Sequence, residues 1–205
     1  MFPSLSEYLS AAPFPHCVVD GFFPEGLLDS VVSEWPVARH KKVGGNYKKN
    51  IGGDVRGSMR QLVDRLNGDE FVGQLKELTG IKDLFADELL FGGGPHEVPP
   101  GGFLKHHVDF NYNEHISGIR RVNLLLYLNR DWKENGDLEL LDEDGKVVKS
   151  ISPIFNRMVI FTCSEKSWHG HPTPLTGDRS RLSLALYYYS PGKRPKDYHS
   201  TIYRG

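Results

Sequence analysis

The stretch of sequence after Leu84 most constrains the fold, because it consists of short β-rich runs separated by Gly, Pro, Asn and Asp. Asp144 and Gly145 lie between two of these runs and favour a hairpin, because a type I′ turn needs positive φ at both central residues. Strands are predicted at 88–91, 103–108, 122–128, 138–141, 147–151, 158–162 and 182–189. Short strands without long helices between them indicate an antiparallel sandwich, jelly roll or barrel.

The residues before Leu84 are expected to be mainly helical. Ser4 and Glu7 have the spacing of a capping box, in which each side chain satisfies an amide of the other residue. Gly68 and Gly80 stand where left-handed C-caps usually occur. Helices are predicted from Ser4 to Pro13, from Pro24 to just before Pro36, at 55–67 and at 69–79.

Length and charge exclude several classes of protein. The 205 residues suit one domain, with a helical part at about 1–82, a β core at about 83–190 and a basic tail at 191–205. Lys plus Arg number 25 and Asp plus Glu 26, so the formal net charge of −1 argues against a nucleic-acid binder that relies on basic charge. The N-terminus lacks the features of a secretory signal, and no apolar run is long enough for a membrane span. We therefore expect a cytoplasmic protein without nucleic-acid or membrane partners, and its oligomeric state is left open.

Two side chains at the end of one predicted strand could bind a common metal ion. The sequence has nine His but only two Cys, so a metal would be held by imidazole and carboxylate. His107 and Asp109 are two residues apart, and side chains at i and i+2 of a strand project from the same face. A His-x-Asp pair alone is a weak signal. His169, shortly after a distant strand, would complete a set of two imidazoles and one carboxylate, which is typical of non-haem Fe(II) oxygenases.

A cation stands at the start of an otherwise apolar strand. Arg181 precedes the run LSLALY, and by the two-residue period of a strand it shares a face with Ser183. A guanidinium fork and a hydroxyl on one face could hold a carboxylate together.

The order His107-x-Asp109, His169, Arg181-x-Ser183 resembles the iron- and 2-oxoglutarate-dependent dioxygenase superfamily, and within it the prolyl-hydroxylase-like branch. The segment RVNLLLYLNRDW at 121–132 is similar to a stretch of that branch that ends in Tyr-Leu-Asn before an acidic-Trp pair. The resemblance covers 83–190, with a looser likeness to an entry strand at 14–20. It implies an α+β fold with a double-stranded β-helix core, of the jelly-roll or cupin-like kind, and N-terminal helices packed on one side.

The resemblance also implies a reaction and a set of site residues. Fe(II) would be bound by His107, Asp109 and His169, and 2-oxoglutarate by Arg181 with Tyr127, Ser183 and Asn123. With O₂, such a site would hydroxylate an unactivated C–H bond of a small molecule or a peptidyl residue such as proline, and would release succinate and CO₂. Asp109 favours hydroxylation, because related halogenases carry a small residue in place of this carboxylate. No catalytic residue is predicted beyond the metal ligands.

Other residues near the predicted site are left open. His96 and Glu97 follow a Gly-rich stretch and could line the pocket, although an ordinary loop is the alternative. His171 could replace His169 if that imidazole is turned away. His106 is expected to face away from the metal, and Cys163 to be inert packing. The chain departs from the family at 136–137, where it has Gly-Asp in place of the usual Gly-Gly.

A cupin-like metal- and 2-oxoglutarate-binding sensor without turnover is the alternative function. A sensor that only holds a metal would explain the triad but would leave the presence of Arg181 unexplained. A degenerate family member that acts as an interaction scaffold is a third hypothesis, and the intact triad counts against it.

Overall fold

The computed structural model describes residues 1–35 and 55–204, together with short strands at 42–43, 46–47 and 49–50. Its helices α1 to α4 span Leu5–Leu9, Glu25–Ser33, Gly57–Asn67 and Asp69–Thr79. The Ser4 side chain accepts a hydrogen bond from the Glu7 amide, and the Glu7 carboxylate accepts one from the Ser4 amide, so the capping box is confirmed. The four predicted helices are therefore present, and α1 ends before its predicted limit at Pro13.

The two glycines predicted as C-caps differ. Gly80 ends α4 with a φ of 74°, as predicted. Gly68 has a φ of −70° and a ψ of 156°, so the prediction of a left-handed cap there is wrong. Gly68 is extended because α4 begins at the next residue, and an N-cap residue normally has extended backbone.

The strands of the described residues, β1 to β15, form two sheets. In chain order they span His16–Asp20, Lys42–Val43, Asn46–Tyr47, Lys49–Asn50, Phe85–Ala86, Gly94–Val98, Leu104–Val108, Tyr112–Asn113, Gly118–Tyr127, Leu138–Leu141, Val147–Ile151, Arg157–Thr162, His169–His171, Arg181–Pro191 and Ile202–Tyr203. The eight-stranded sheet has the order β1-β12-β9-β14-β6-β4, with β5 beside β14 and β8 beside β9. The seven-stranded sheet has the order β11-β10-β13-β7-β3-β2, with β15 beside β7. All the ladders between these strands are antiparallel, which confirms an α+β fold with a jelly-roll core.

The helices cover one face of the eight-stranded sheet. Val122, Leu124 and Leu126 alternate along β9 and share one buried apolar cluster with the helix residues Leu62 and Leu75. Tyr127 belongs to a second cluster, with Leu138, Leu140, Ile151, Val159, Phe161 and Phe14. The expected packing of N-terminal helices on one side is thus confirmed, and the other face of this sheet is left to meet the smaller sheet.

The predicted hairpin between β10 and β11 is present, but its turn is of another type. Gly145 has a φ of 88°, whereas Asp144 is not among the residues with positive φ. The prediction of a type I′ turn is therefore wrong. The Lys146 amide instead donates to the Asp142 carboxylate at 2.8 Å, and this side chain supports the reversal.

The prediction of a strand at 88–91 is wrong, because these residues form a turn. Asp87 accepts hydrogen bonds from the amides of Leu89 at 2.9 Å and Phe91 at 2.8 Å. Leu90 has a φ of 51°. An Asp side chain that binds the amides just after it forms a turn, so the chain reverses after the short strand β5.

Two strands of the site were not predicted, namely β6 and β13. Both are rich in Gly, Pro and His, which have low or neutral strand propensity, and both are held by pairing to distant strands. The tail is not wholly separate, because β15 pairs with β7. No helix among the described residues is both long and apolar enough to cross a membrane.

Candidate metal centre and cosubstrate pocket

The smaller sheet brings three predicted ligands together. His107 of β7 is the direct cross-strand partner of His169 of β13, and the two ring centroids are 4.3 Å apart. Asp109 follows the end of β7. The ligand atoms of the three residues all lie within 4.8 Å of one another. The structure therefore assembles the predicted triad from two neighbouring strands.

Backbone hydrogen bonds orient both imidazoles. His107 Nδ1 donates to the Lys105 carbonyl and His169 Nδ1 donates to the Ser167 carbonyl, each at 2.8 Å. With the proton on Nδ1, the Nε2 lone pair of each ring is available for a metal ion. Burial, with the adjacent His107, lowers the pKa of His169 to about 3, so its imidazole is neutral at physiological pH.

The carboxylate of the triad is held by two further side chains. Asn123 Nδ2 donates to Asp109 Oδ2 at 2.6 Å, and Arg120 Nη2 forms an ion pair with the same oxygen at 3.0 Å. Burial alone would raise the pKa of Asp109, but the Arg120 guanidinium beside it holds this pKa well below its usual range. Asp109 is therefore ionised, as a metal ligand must be.

Arg120 was missed by sequence reasoning because of a β-bulge. Strict alternation along β9 would place Arg120 with Val122, on the face that packs under the helices. Val122 pairs with Tyr188 of β14, and Arg120 pairs with the next residue of β14, Tyr189. Arg121 is therefore an extra residue in β9 without a partner of its own in this ladder. The bulge turns Arg120 to the metal side, and no local signal in the sequence predicts it.

Asn123 was predicted as a cosubstrate contact, and the structure gives it a different neighbour. Its side chain lines the central cavity, as expected from strand alternation. Within the described chain, however, its amide donates to Asp109, and its oxygen accepts from Arg120 Nε at 2.8 Å. Asn123 therefore contacts a metal ligand directly.

The larger sheet supplies the other end of the cavity. Arg181 and Ser183 of β14 line it together with the triad, and Ser183 lies opposite Tyr127 of β9. Arg181 Nη2 donates to the Tyr127 hydroxyl at 3.2 Å, and Arg181 Nε donates to the Gly136 carbonyl at 2.9 Å. Arg181, Ser183 and Tyr127 are thus placed together, as the sequence predicts.

Only glycine fits at position 136. Its φ is 102°, and a Cβ there would lie 2.5 Å from Leu175 Cδ2 and 3.4 Å from Arg181 Cδ. Gly136, which corresponds to the first glycine of the family's Gly-Gly, lets the backbone pass close to the Arg181 side chain. Asp137 stands in place of the second glycine and does not disturb this contact.

Arg181 is suited to bind an acidic ligand. It is only 4% exposed, and among the described residues no carboxylate forms an ion pair with it. A buried charge without a counter-ion is unfavourable, and a ligand carboxylate would provide one. The bidentate fork of Arg matches a carboxylate in geometry.

The residues left open by the sequence now have positions. His96 and His171 line the cavity, whereas Glu97 projects from β6 on the opposite face to His96. His106 faces away from the triad and binds Glu139 through Nε2 at 2.6 Å. Burial raises the pKa of the Cys163 thiol to about 12, which is consistent with the predicted inert role.

The donor set fits Fe(II). Two imidazoles and one carboxylate on one side of the cavity leave the side towards Ser183 and Arg181 open. This 2-His-1-carboxylate arrangement is diagnostic of non-haem Fe(II) sites that use O₂, and a fully protein-ligated zinc site would need a closed tetrahedral set.

Comparison with known families agrees with this geometry. Residues 93–189 match the 2OG-Fe(II) oxygenase superfamily, and this segment contains the triad and Arg181. Over this segment, which holds most of the β core, the chain is similar to the 2OG-Fe(II) oxygenase superfamily. This superfamily is named for Fe(II) and 2-oxoglutarate, and the His107, Asp109 and His169 triad of this chain fits such an ion.

Several individual proteins to which this chain is similar are named as prolyl hydroxylases. It is similar to prolyl 3-hydroxylase OGFOD1 of Mus musculus, with 27% identity over 93% of this chain and 35% of that protein. The chain thus spans about a third of the length of that curated relative. A Trichoplax adhaerens prolyl hydroxylase, solved with a hypoxia inducible factor peptide fragment, has a TM-score of 0.63 and 23% identity, covering 91% of this chain and 87% of that one. A Pseudomonas putida prolyl-4-hydroxylase has a TM-score of 0.57 and 21% identity, covering 91% and 98%. The two solved structures establish the shared fold.

Proposed function

We propose that this chain is a hydroxylase that inserts one atom of O₂ into an unactivated C–H bond. The other oxygen atom is consumed as 2-oxoglutarate is converted into succinate and CO₂, so the reaction is balanced without an external reductant. The observation that carries the proposal is a single cavity with the His107, Asp109 and His169 triad at one end and the buried Arg181 guanidinium at the other.

The side chains of the cavity have separate tasks in this proposal. His107, Asp109 and His169 hold Fe(II), which when bound supplies the activation of O₂. Arg181, supported by Tyr127 and the Gly136 carbonyl, binds the distal carboxylate of 2-oxoglutarate, and Ser183 lies beside it. The two sheets enclose these groups and exclude bulk water, which strengthens every charge interaction within.

We further propose that the substrate is a prolyl residue within a peptide. Its support is the naming of relatives as prolyl hydroxylases and an aromatic groove beside the metal centre. This groove is lined by Phe91, Phe110, Tyr112, Glu114, His115, Tyr198, Ser200 and Thr201. The centroid of the Phe110 ring lies 4.6 Å from the guanidinium carbon of Arg120, the ion-pair partner of Asp109, which places this wall of the groove next to the metal centre.

Exposed aromatic side chains make this groove suited to a peptide. Phe91 is 46% exposed and Tyr198 is 38% exposed. Phe91 packs edge-on against Phe110, with ring centroids 5.8 Å apart. Aromatic-lined grooves bind extended proline-containing segments well, because such segments lose little conformational entropy.

The test is a mass measurement on a panel of peptides that each contain one proline, with matched peptides in which alanine replaces it. With Fe(II), 2-oxoglutarate and air, at least one proline peptide should gain one oxygen, and its alanine counterpart should not. The His169→Ala variant is the control for the metal centre. An oxygen gain on free proline or another small molecule, with none on any peptide, would contradict the peptidyl substrate while leaving the hydroxylase assignment standing.

A further inference from the structure

An amide donor and a guanidinium cation converge on one oxygen of the metal-binding carboxylate. Asp109 Oδ2 accepts from Asn123 Nδ2 at 2.6 Å and lies 3.0 Å from Arg120 Nη2. Asp109 Oδ1 faces the imidazole of His107, at 3.6 Å from Nε2. Asp109 Oδ2 in turn lies 3.5 Å from His169 Nε2, so each oxygen faces one imidazole of the triad, and Oδ2 is in addition engaged by Asn123 and Arg120.

The Arg120 and Asn123 side chains are themselves held in place by their neighbours. Arg120 Nε donates to Asn123 Oδ1 at 2.8 Å, which makes the two side chains one unit. The Arg120 guanidinium carbon lies 3.4 Å from the centroid of the Tyr187 ring and 4.6 Å from that of Phe110. With a side chain only 1% exposed, Arg120 has almost no freedom to leave this position. Stacking of this kind requires the planar guanidinium of Arg.

We propose that Arg120 and Asn123 are positioning residues that fix the orientation of the Asp109 carboxylate by holding its Oδ2 atom. This inference rests on the metal site of the proposed function and names residues that act through Asp109. Because Oδ2 is held by a hydrogen bond and an ion pair, the carboxylate cannot turn, and each of its oxygens keeps its place beside an imidazole of the triad. Without these two side chains the carboxylate would be free to turn, and a bound metal ion would be held more weakly and in another geometry.

The first test measures metal affinity, without any substrate peptide. Mn(II) binding to the full chain is titrated by calorimetry for wild type, Arg120→Met and Asn123→Ala. Side chains that orient metal ligands typically contribute about 10- to 100-fold in metal affinity, so we expect a weakening in this range for Arg120→Met. Arg121→Met is the matched control, because it makes the same chemical change at the neighbouring bulge residue, which does not contact Asp109.

A second readout separates positioning from general destabilisation. The absorption spectrum of bound Co(II) depends on coordination number and geometry. At saturating Co(II), Arg120→Met should differ in spectrum from wild type, Arg121→Met should not, and Arg120→Lys should recover part of the Mn(II) affinity. If Arg120→Met does not fold, Asn123→Ala carries both measurements, since it removes the hydrogen bond to Oδ2 with a smaller change.

Wild-type Mn(II) affinity and an unchanged Co(II) spectrum in the folded variants would overturn the proposal. Because neither measurement needs turnover or a peptide, this failure is distinguishable from failure of the proposed function. The latter would show as absence of oxygen transfer in a wild-type protein that binds metal normally.

Discussion

Arg181 is a buried cation whose neighbours in the described chain are a hydroxyl, a carbonyl and an aromatic ring. Its guanidinium carbon lies 4.8 Å from the centroid of the Tyr127 ring, so the side chain is stacked as well as hydrogen-bonded. This arrangement holds the guanidinium in one orientation before any ligand arrives, which lowers the entropy lost when a carboxylate binds.

The corresponding prediction at the residue scale is that Arg181→Lys weakens 2-oxoglutarate binding. Lys keeps the charge but loses the planar fork, and a hydrogen bond to a charged group contributes about 1.5–3 kcal/mol, so we expect a weakening of about tenfold or more. Calorimetric titration of 2-oxoglutarate into the Mn(II)-loaded protein measures it. Arg179→Lys is the matched control, because Arg179 is exposed, lies outside the central cavity and contacts only the loop at 130–132, through two backbone carbonyls and the Trp132 ring. Unchanged affinity in Arg181→Lys would remove Arg181 from the cosubstrate site.

The positions of site residues could be predicted where strand alternation holds. His107 and Asp109 share a face because they are two residues apart, and so do Arg181 and Ser183. Arg120 could not be predicted, because the bulge at Arg121 reverses the alternation and depends on the register of β9 against β14. The roles of these residues in binding metal and cosubstrate stay predictions.

At the scale of elements, the turn at 87–93 shows how local chemistry overrides an apolar pattern. The run ELLF has strand-like composition, but the Asp87 carboxylate binds the amides of Leu89 and Phe91 and curls the backbone. The turn presents Phe91 to the aromatic groove, where a strand would have placed neighbouring side chains on opposite faces.

We predict that Phe91→Ala raises the KM for a peptide substrate about 5- to 30-fold, since truncating an aromatic interface residue typically costs about 1–2 kcal/mol. The affinity for 2-oxoglutarate should not change, because Phe91 lies outside the central cavity. Steady-state kinetics on a peptide identified by mass measurement provide the value. Leu89→Ala is the control, because Leu89 is 62% exposed on the same turn but does not line the groove. Equal KM values for the two variants would exclude the groove from substrate binding.

At the scale of the whole molecule, the two sheets divide the site between them. The metal ligands lie on β7 and β13 of the smaller sheet or directly after β7, and Arg181, Ser183 and Tyr127 lie on β14 and β9 of the larger one. The fold class could be predicted because many short runs without helices favour an antiparallel β core. The strand order could not, because β6 and β13 are defined only by pairing with strands distant in sequence.

The most direct test of the central claim is succinate formation from 2-oxoglutarate by the purified chain with Fe(II) under air. The arrangement of triad and Arg181 predicts succinate even without a substrate, at a slow rate that rises with the correct peptide. His169→Ala should abolish it, because two of the three ligands cannot hold Fe(II) in the same geometry. If wild type binds both the metal and 2-oxoglutarate but forms no succinate with or without peptides, the protein is a sensor and not a hydroxylase.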